Sequence, residues 1–233
     1  MPKLIFLGTS ASIPSCQRDN TSLCIQHNKR TILIDCSGSI VQKLYHIGIN
    51  FRDIREVVIT HQHVDHYYSL FHLIHAQCYL NKRMTIYTNA ITIRLLKKLL
   101  KGMNLIRSHY PKVVFKNISS KKRFYSSGSF TLHAIKNNHI DGSFGIEISS
   151  RNKRIIYSSD TTPTQTIIKR AKNCDYLIHD CTASAAYFKK YPRLSQFHTN
   201  SRDLARIFCQ LNIKKIIPIH FLLLRKGEEQ YIN

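Results

Sequence analysis

The densest chemistry in this chain lies in seven consecutive residues, Thr60-His61-Gln62-His63-Val64-Asp65-His66, which place three imidazoles and a carboxylate directly behind the apolar run Val57-Val58-Ile59. Imidazole nitrogens and carboxylate oxygens are ligands for divalent metals, and two imidazoles at alternate positions of an extended turn can converge on one ion. The carboxylate two residues on and the next imidazole can then address a neighbouring ion. One loop supplies too few donors for two ions. Further ligands are therefore expected where later strands end, because such loops present side chains from a rigid scaffold. Three residues meet that description: His139 before Asp141-Gly142-Ser143, Asp160 after Ile155-Ile156-Tyr157, and His220 after Ile216-Ile217-Pro218-Ile219. An Asp between two cations is a suitable bridge, and imidazole mixed with carboxylate suits zinc, so the expected cofactors are two Zn2+. His27, His46, His72, His75, His109 and His133 stand outside such a cluster and are expected to be surface or packing residues.

These side chains need elements to hold them. Residues 3–7, 23–25 and 31–34 read as strands bounded by turn residues, the last two joined by a hairpin through His27-Asn28-Lys29-Arg30. Ile40, Val41, Leu44 and Ile47 recur at helical spacing, with Gly48 placed to end the helix in the left-handed region. A helix is expected through Leu70, Leu73 and Ile74, a strand over 84–88 and an amphipathic helix over 91–103, whose Arg94, Lys97, Lys98 and Lys101 form a solvated face. Further strands are expected near 112–116, 129–135, 144–148, 154–158, 175–179 and 215–219, with helices after Pro163 and over 201–211. Asn200 with Asp203 marks the start of the last helix. This order predicts an α/β fold of two sheets packed face to face with helices outside, in a single domain.

Composition bounds the setting. The 233 residues contain no low-complexity linker, and no uninterrupted apolar run approaches the roughly 20 residues needed to span a bilayer, so no membrane partner is expected. The seven cysteines lack paired spacing and suit a reducing compartment. A formal charge of +22 would attract an acidic polymer such as RNA, although Lys, Ile, Asn and Tyr are also what AT-rich codons specify. That residue usage, with an apolar strand beginning at Lys3, leads us to expect an organelle-encoded plastid protein, with bacterial cytoplasm as the alternative location. A homodimer is compatible with everything above.

The pattern His-x-His-x-Asp-His with the later His139, Asp160 and His220 resembles the metallo-β-lactamase superfamily along nearly the whole chain, and within it the ribonuclease Z branch, the tRNA 3′-end processing endonucleases. Leu7-Gly8-Thr9-Ser10 with Pro14, Arg18 and Thr21-Ser22 is similar to that branch's opening, and Tyr157-Ser158-Ser159-Asp160-Thr161-Thr162-Pro163 to its Tyr-Ser-x-Asp-Thr-x-Pro segment. Leu177-Ile178-His179-Asp180-Cys181-Thr182 and His198-Thr199 also correspond, with Asp180 where the branch has Glu.

The resemblance implies a four-layered αββα metallo-β-lactamase sandwich. It also implies one metal on His61, His63 and His139, a second on Asp65, His66 and His220, and Asp160 bridging them. Asp35 would orient the ligand loop, Asp65 would accept a proton during attack, and His198, aligned by Asp180, would protonate the leaving oxygen. The expected reaction is hydrolysis of a phosphodiester in precursor tRNA. Only 21 positions separate His139 from Asp160, which leaves room for a hairpin and none for the long arm that bacterial and plant ribonucleases Z insert there. A small phosphate or sulfate ester, as in the related zinc arylsulfatases, is the alternative substrate class.

Overall fold

The computed structural model describes residues 2–28, 30–118 and 123–223. Lys29 of the expected hairpin tip lies outside these. The chain divides into two compact units, Met1–Ile118 and Ser119–Asn233.

The first unit is a six-stranded mixed sheet in the order β1-β2-β3-β4-β5-β6. Its strands are β1 Lys3–Gly8, β2 Ser22–His27, β3 Arg30–Ile34, β4 Glu56–Val58, β5 Arg83–Thr88 and β6 Lys112–Asn117. β1 to β3 form an antiparallel meander, and β3 to β6 run parallel. The inner strands are runs of buried side chains, Thr31–Ile34 in β3 and Val57-Val58 in β4 continuing to Ile59. Helices α1 Ile40–His46, α2 Tyr68–Ala76 and α3 Ala90–Gly102 supply the crossovers. Their buried side chains Leu44, Leu70, Leu73, Leu96 and Leu100 join Leu33, Val57 and Ile86 in one cluster.

Gly48 has φ +72° one residue beyond the cap of α1, as its position in the sequence predicts. Gly8 is required for another reason: a Cβ there would collide with the Asn20 carbonyl oxygen. α3 begins at Asn89, whose side chain accepts from the Thr92 amide at 2.8 Å.

The second unit is a six-stranded mixed sheet in the order β12-β11-β10-β9-β8-β7. Its strands are β7 Arg123–Ser126, β8 Phe130–Lys136, β9 Phe144–Ser150, β10 Arg154–Tyr157, β11 Tyr176–Asp180 and β12 Lys215–Ile219. β7 to β10 are an antiparallel meander, and β10 to β12 are parallel. Helices α4 Gln165–Ala171, α5 Ala185–Lys190 and α6 Ser201–Phe208 accompany them. Ile167, Ala171, Leu204 and Phe208 pack with Ile156 and Leu177. Asp175 pins the entry to three strands: it accepts from Lys214 Nζ at 2.6 Å, Lys153 Nζ at 3.3 Å and the Arg154 amide at 2.9 Å.

β7 and α5 are absent from the sequence expectation, and α6 stops at Phe208 rather than 211. The Asn200 cap is as expected, accepting from the Asp203 amide at 3.0 Å. No helix among the described residues is long and apolar enough to cross a membrane. Cys24, Cys36, Cys174 and Cys181 are buried free thiols, and burial pushes Cys24 up to about 12 and Cys174 up to about 11.

Candidate metal centre

In the first unit β4 leads into the predicted loop, and Val64–His66 turns as a single 3₁₀ segment before α2. The rings of His61 and His63 lie 4.8 Å apart and those of His61 and His66 4.0 Å apart. The ligand atoms of His61 and His63 are within 4.8 Å of each other, as are those of Asp65 and His66.

What holds the loop is Asp35, at the end of β3. Its carboxylate is wholly buried and accepts four hydrogen bonds: the Thr60 amide at 2.8 Å, the Thr60 hydroxyl at 3.0 Å to each oxygen, and His66 Nδ1–H at 2.9 Å. The Thr60 hydroxyl spends its proton on Asp35, so its 3.1 Å contact with His61 Nδ1 is one in which the ring nitrogen donates. Both imidazoles are thereby fixed as the Nδ1–H tautomer, with Nε2 carrying the lone pair that a metal needs.

The second unit repeats the device. Asp180, wholly buried at the end of β11, accepts from His198 Nδ1–H at 2.8 Å, the Thr182 hydroxyl at 2.7 Å and the Thr161 amide at 3.0 Å. Thr182, having donated to Asp180, accepts from His220 Nδ1–H at 3.2 Å. His139 Nδ1–H donates to the Phe197 carbonyl at 3.1 Å. With Nδ1 engaged in each ring, Nε2 of His220 lies 3.0 Å and Nε2 of His139 3.7 Å from the same Asp160 Oδ2. Asp160 is buried, and the backbone around it is gripped by Asn137, which donates to the carbonyls of Ser158 and Asp160 at 3.1 and 3.0 Å. Donor atoms of Asp160, His198 and His220 also lie within 4.8 Å of one another.

Three residues that end strands or flank ligands hold left-handed backbone without being glycine: Asp35 (φ +57°), Ser159 (φ +53°) and His220 (φ +64°). Such conformations cost about 1–2 kcal/mol each and persist where the surroundings enforce them.

The donor types fit divalent metals: histidines with the Nδ1–H tautomer enforced, grouped with carboxylates. His61, His63, Asp65 and His66 lie on the loop after β4 in the first unit, and His139, Asp160, Asp180, His198 and His220 lie at strand ends and loops of the second. Residues that sequence reasoning passed over are Thr60, Thr182 and the Phe197 carbonyl, which set the tautomers. Each threonine adjoins a recognised segment, but a hydroxyl's partner is a matter of three-dimensional contact. Residues beside the loops are tied in locally: Tyr68 donates to Asn20 Oδ1 at 3.0 Å, the Ser69 hydroxyl to the Gly38 carbonyl, and the Leu222 amide to the Thr182 carbonyl at 2.8 Å.

Comparison with known proteins agrees with this geometry. The chain is 23% identical to "Ribonuclease Z" of Picrophilus torridus, over 94% of this chain and 85% of that one. It superposes on the metallo-β-lactamase fold protein YhfI of Bacillus subtilis with a TM-score of 0.81, at 19% identity over 99% of this chain and 91% of that one. It superposes on the short form of human tRNase Z with a TM-score of 0.78, at 18% identity over 95% and 92%. The α/β metallo-β-lactamase fold and the likeness to ribonuclease Z are thus both as the sequence led us to expect, and they support a metal-dependent hydrolase. Within that fold one family pattern runs along residues 2–221, past every histidine and carboxylate described above, and the chain belongs to the family it defines, "Anti-Pycsar protein Apyc1".

Proposed function

We propose that the chain is a binuclear metal-dependent phosphodiesterase that cleaves RNA, with precursor tRNA 3′ ends as its substrate. The observation that carries the reading is the enforced Nδ1–H tautomer in His61, His66, His139 and His220, which commits each Nε2 to a ligand. In this reading His61, His63 and His139 would hold one ion and Asp65, His66 and His220 the other, Asp160 would serve both, and the metal would be zinc. When bound, such a pair supplies an acidified water and positive charge for the developing oxyanion.

The remaining steps fall to the chain. Asp65 accepts the proton given up as water attacks phosphorus. His198, oriented by Asp180, donates a proton to the leaving alkoxide, so that the products are a phosphate monoester and an alcohol. Asp35 and Asp180 fix the rings through the hydrogen bonds they accept. An organelle-encoded plastid origin belongs to the same reading, supported by residue usage alone, and a homodimer is compatible with it.

A small phosphodiester or aryl sulfate is the second reading. It is favoured by β9 and β10, which occupy the interval between His139 and Asp160 where an RNA-gripping arm would be inserted. The deciding experiment incubates metal-loaded protein with precursor tRNA, a bis-aryl phosphodiester, a small nucleotide phosphodiester and an aryl sulfate. Cleavage of precursor tRNA at its 3′ trailer, weakening steeply between about 50 and 200 mM salt, is expected. Turnover of the small esters with intact RNA would transfer the assignment to the second reading. His198→Ala should keep its metals and lose about 100-fold in rate; parallel loss of metal would make His198 a ligand.

A further inference from the structure

Between Asp65 and Asp141 the sequence has no acidic residue. The part of this stretch in the first unit carries nine lysines and arginines, and it folds into β5, α3 and β6. Several cations elsewhere are paired with carboxylates: Lys43 with Asp19 at 3.2 Å, Lys153 and Lys214 with Asp175 at 3.3 and 2.6 Å, and Arg170 with Glu147 at 2.8 Å. On the face formed by α3 and β6, no ion pair to a carboxylate is found among the described residues for Lys97, Arg107 or Lys112. A helix alone would account for a solvated basic stripe. Here the stripe continues past the helix into the loop after α3 and onto the edge strand β6, and a cavity of about 490 Å³ opens among these three elements.

The cavity wall has two characters. Lys97, Arg107 and Lys112 line it and are exposed, while Tyr110, Phe115 and Ile106 supply flat or apolar surface. Lys97 Nζ sits 5.9 Å from the centre of the Phe115 ring. The Tyr110 ring lies 4.2 Å from His109 and 5.7 Å from His75. Ile106, 65% exposed, leaves an apolar rim open to solvent. Cations interleaved with aromatic faces are the means by which proteins hold single-stranded nucleic acid: the cations follow phosphates and the rings stack on bases. An acidic peptide would satisfy the cations and leave the aromatic wall without a counterpart.

From this arrangement we infer that the cavity between α3, the 103–111 loop and β6 is a docking site for single-stranded RNA, one base seated against Tyr110 and neighbouring phosphates on Lys97, Arg107 and Lys112. This rests on the reading of the chain as an RNA-cleaving enzyme and adds to it a second point of attachment. The cavity lies at the starting ends of β5 and β6, whereas the His61–His66 loop leaves the far end of the parallel strand β4. At about 3.3 Å per residue, Lys112 at the start of β6 and that loop are separated by about 20 Å along the strands. The site would thus hold substrate outside the reacting segment.

The test is fluorescence anisotropy with a labelled 12-nucleotide single-stranded RNA over a salt series. It compares the unaltered protein, the triple variant Lys97→Gln/Arg107→Gln/Lys112→Gln, and a control triple Lys189→Gln/Lys190→Gln/Arg193→Gln in the second unit. Each lost phosphate contact lowers the slope of log K against log[salt] by about 0.7 for a single strand, so the first triple should lower it by about 2. The control should change it much less. If the first triple melts abnormally, the three single variants are read instead, each expected to lower the slope by about 0.7. Equal loss from both triples, an unchanged slope in the first, no binding by the unaltered protein, or polyglutamate of matched charge binding as well as RNA would each overturn the site. Precursor tRNA cleavage is measured in parallel. Its absence, with the binding result intact, would remove the enzymatic reading and leave the docking site standing.

Discussion

The two units grip their ligands by one device built from different material. In the first, Asp35 holds His66 directly and His61 through the Thr60 hydroxyl. In the second, Asp180 holds His198 directly and His220 through Thr182. Both carboxylates are wholly buried. The first grip acts on a single loop, so three of its partners, Thr60, His61 and His66, lie within seven residues of sequence. The second joins the end of β11 to residues 18 and 40 positions further along the chain, and it relies on the parallel pairing of β10, β11 and β12 to bring them together. A buried carboxylate with a threonine relay orients two rings at once, whether the rings are neighbours in the chain or delivered by topology. The exposure to failure differs: a change in the loop disturbs the first grip, while a change in strand pairing disturbs the second.

The harshest way to break the comparison is to remove a donor from each unit. Asp160→Ala and His63→Ala should each abolish hydrolysis, by about 10³-fold or more, since several kcal/mol of charge stabilisation would go with the ligand. The circular dichroism of both should stay native, because the sheets are held by apolar cores rather than by an ion. Near-normal rates in either would dismiss the metal mechanism; loss of the fold would mean that metal and core are inseparable.

Asp35→Asn and Asp180→Asn sharpen it. Each leaves a neutral side chain that must still meet a threonine and an imidazole, and each should cost about 10–100-fold in metal affinity or rate. The readout is where the loss falls. Asp35→Asn should weaken metal retention, measured by chelator competition, because both its rings are ligands in the proposed set. Asp180→Asn should divide its effect between metal retention through His220 and the pH–rate profile through His198. Identical losses in both measurements would contradict the separate roles. Thr60→Val and Thr182→Val should give smaller losses of the same kind in each unit.

The smallest effect concerns stability. Hydrogen bonds from Lys214 and from the Arg154 amide hold the Asp175 carboxyl far below the usual carboxylate range. A carboxyl whose folded value is depressed contributes stability above its unfolded value, near 3.9, and loses it as pH falls through the folded value. Asp175→Asn should therefore lower the melting temperature by about 2–4 °C at pH 7, the equivalent of about 1 kcal/mol, its lysine partners being largely solvated. The gap should close as the pH is taken well below 4. A constant gap down to pH 2 would mean that the side chain acts by shape and not by charge.

Much of this could be read in the chain before any coordinates. Periodicity located α1 to α3, because Leu44, Leu73 and Leu96 recur on buried faces, Pro163 marked where α4 follows, and the apolar runs at 31–34, 57–59 and 215–219 located strands that end at site residues. β7 escaped because Arg123-Phe124-Tyr125-Ser126 is four residues long and hardly alternates, with only Tyr125 buried. α5 escaped because six residues are less than two turns and Pro192 follows closely; its Ser184 cap, which accepts from the Tyr187 amide at 3.2 Å, was the available signal. In the site, side-chain types and strand ends were enough to nominate ligands. The hydroxyl relays were not legible, since nothing in Thr60 or Thr182 as a letter distinguishes a bridge from a packed strand-end residue. The α3 lysines were legible only as a helix face, because their continuation by Arg107 and Lys112 depends on how the chain returns after the helix.

The left-handed turns at Asp35, Ser159 and His220 bear on how an ion would enter. Backbone held in such conformations has already met its steric cost in the folded chain, and the tautomers beside it are already chosen. Loading then becomes a docking event and not a folding event: its speed would be governed by how fast the ion sheds water, and selection among metals by the fit of a preset geometry. A chelator would empty such a frame and leave it standing, ready to be filled again.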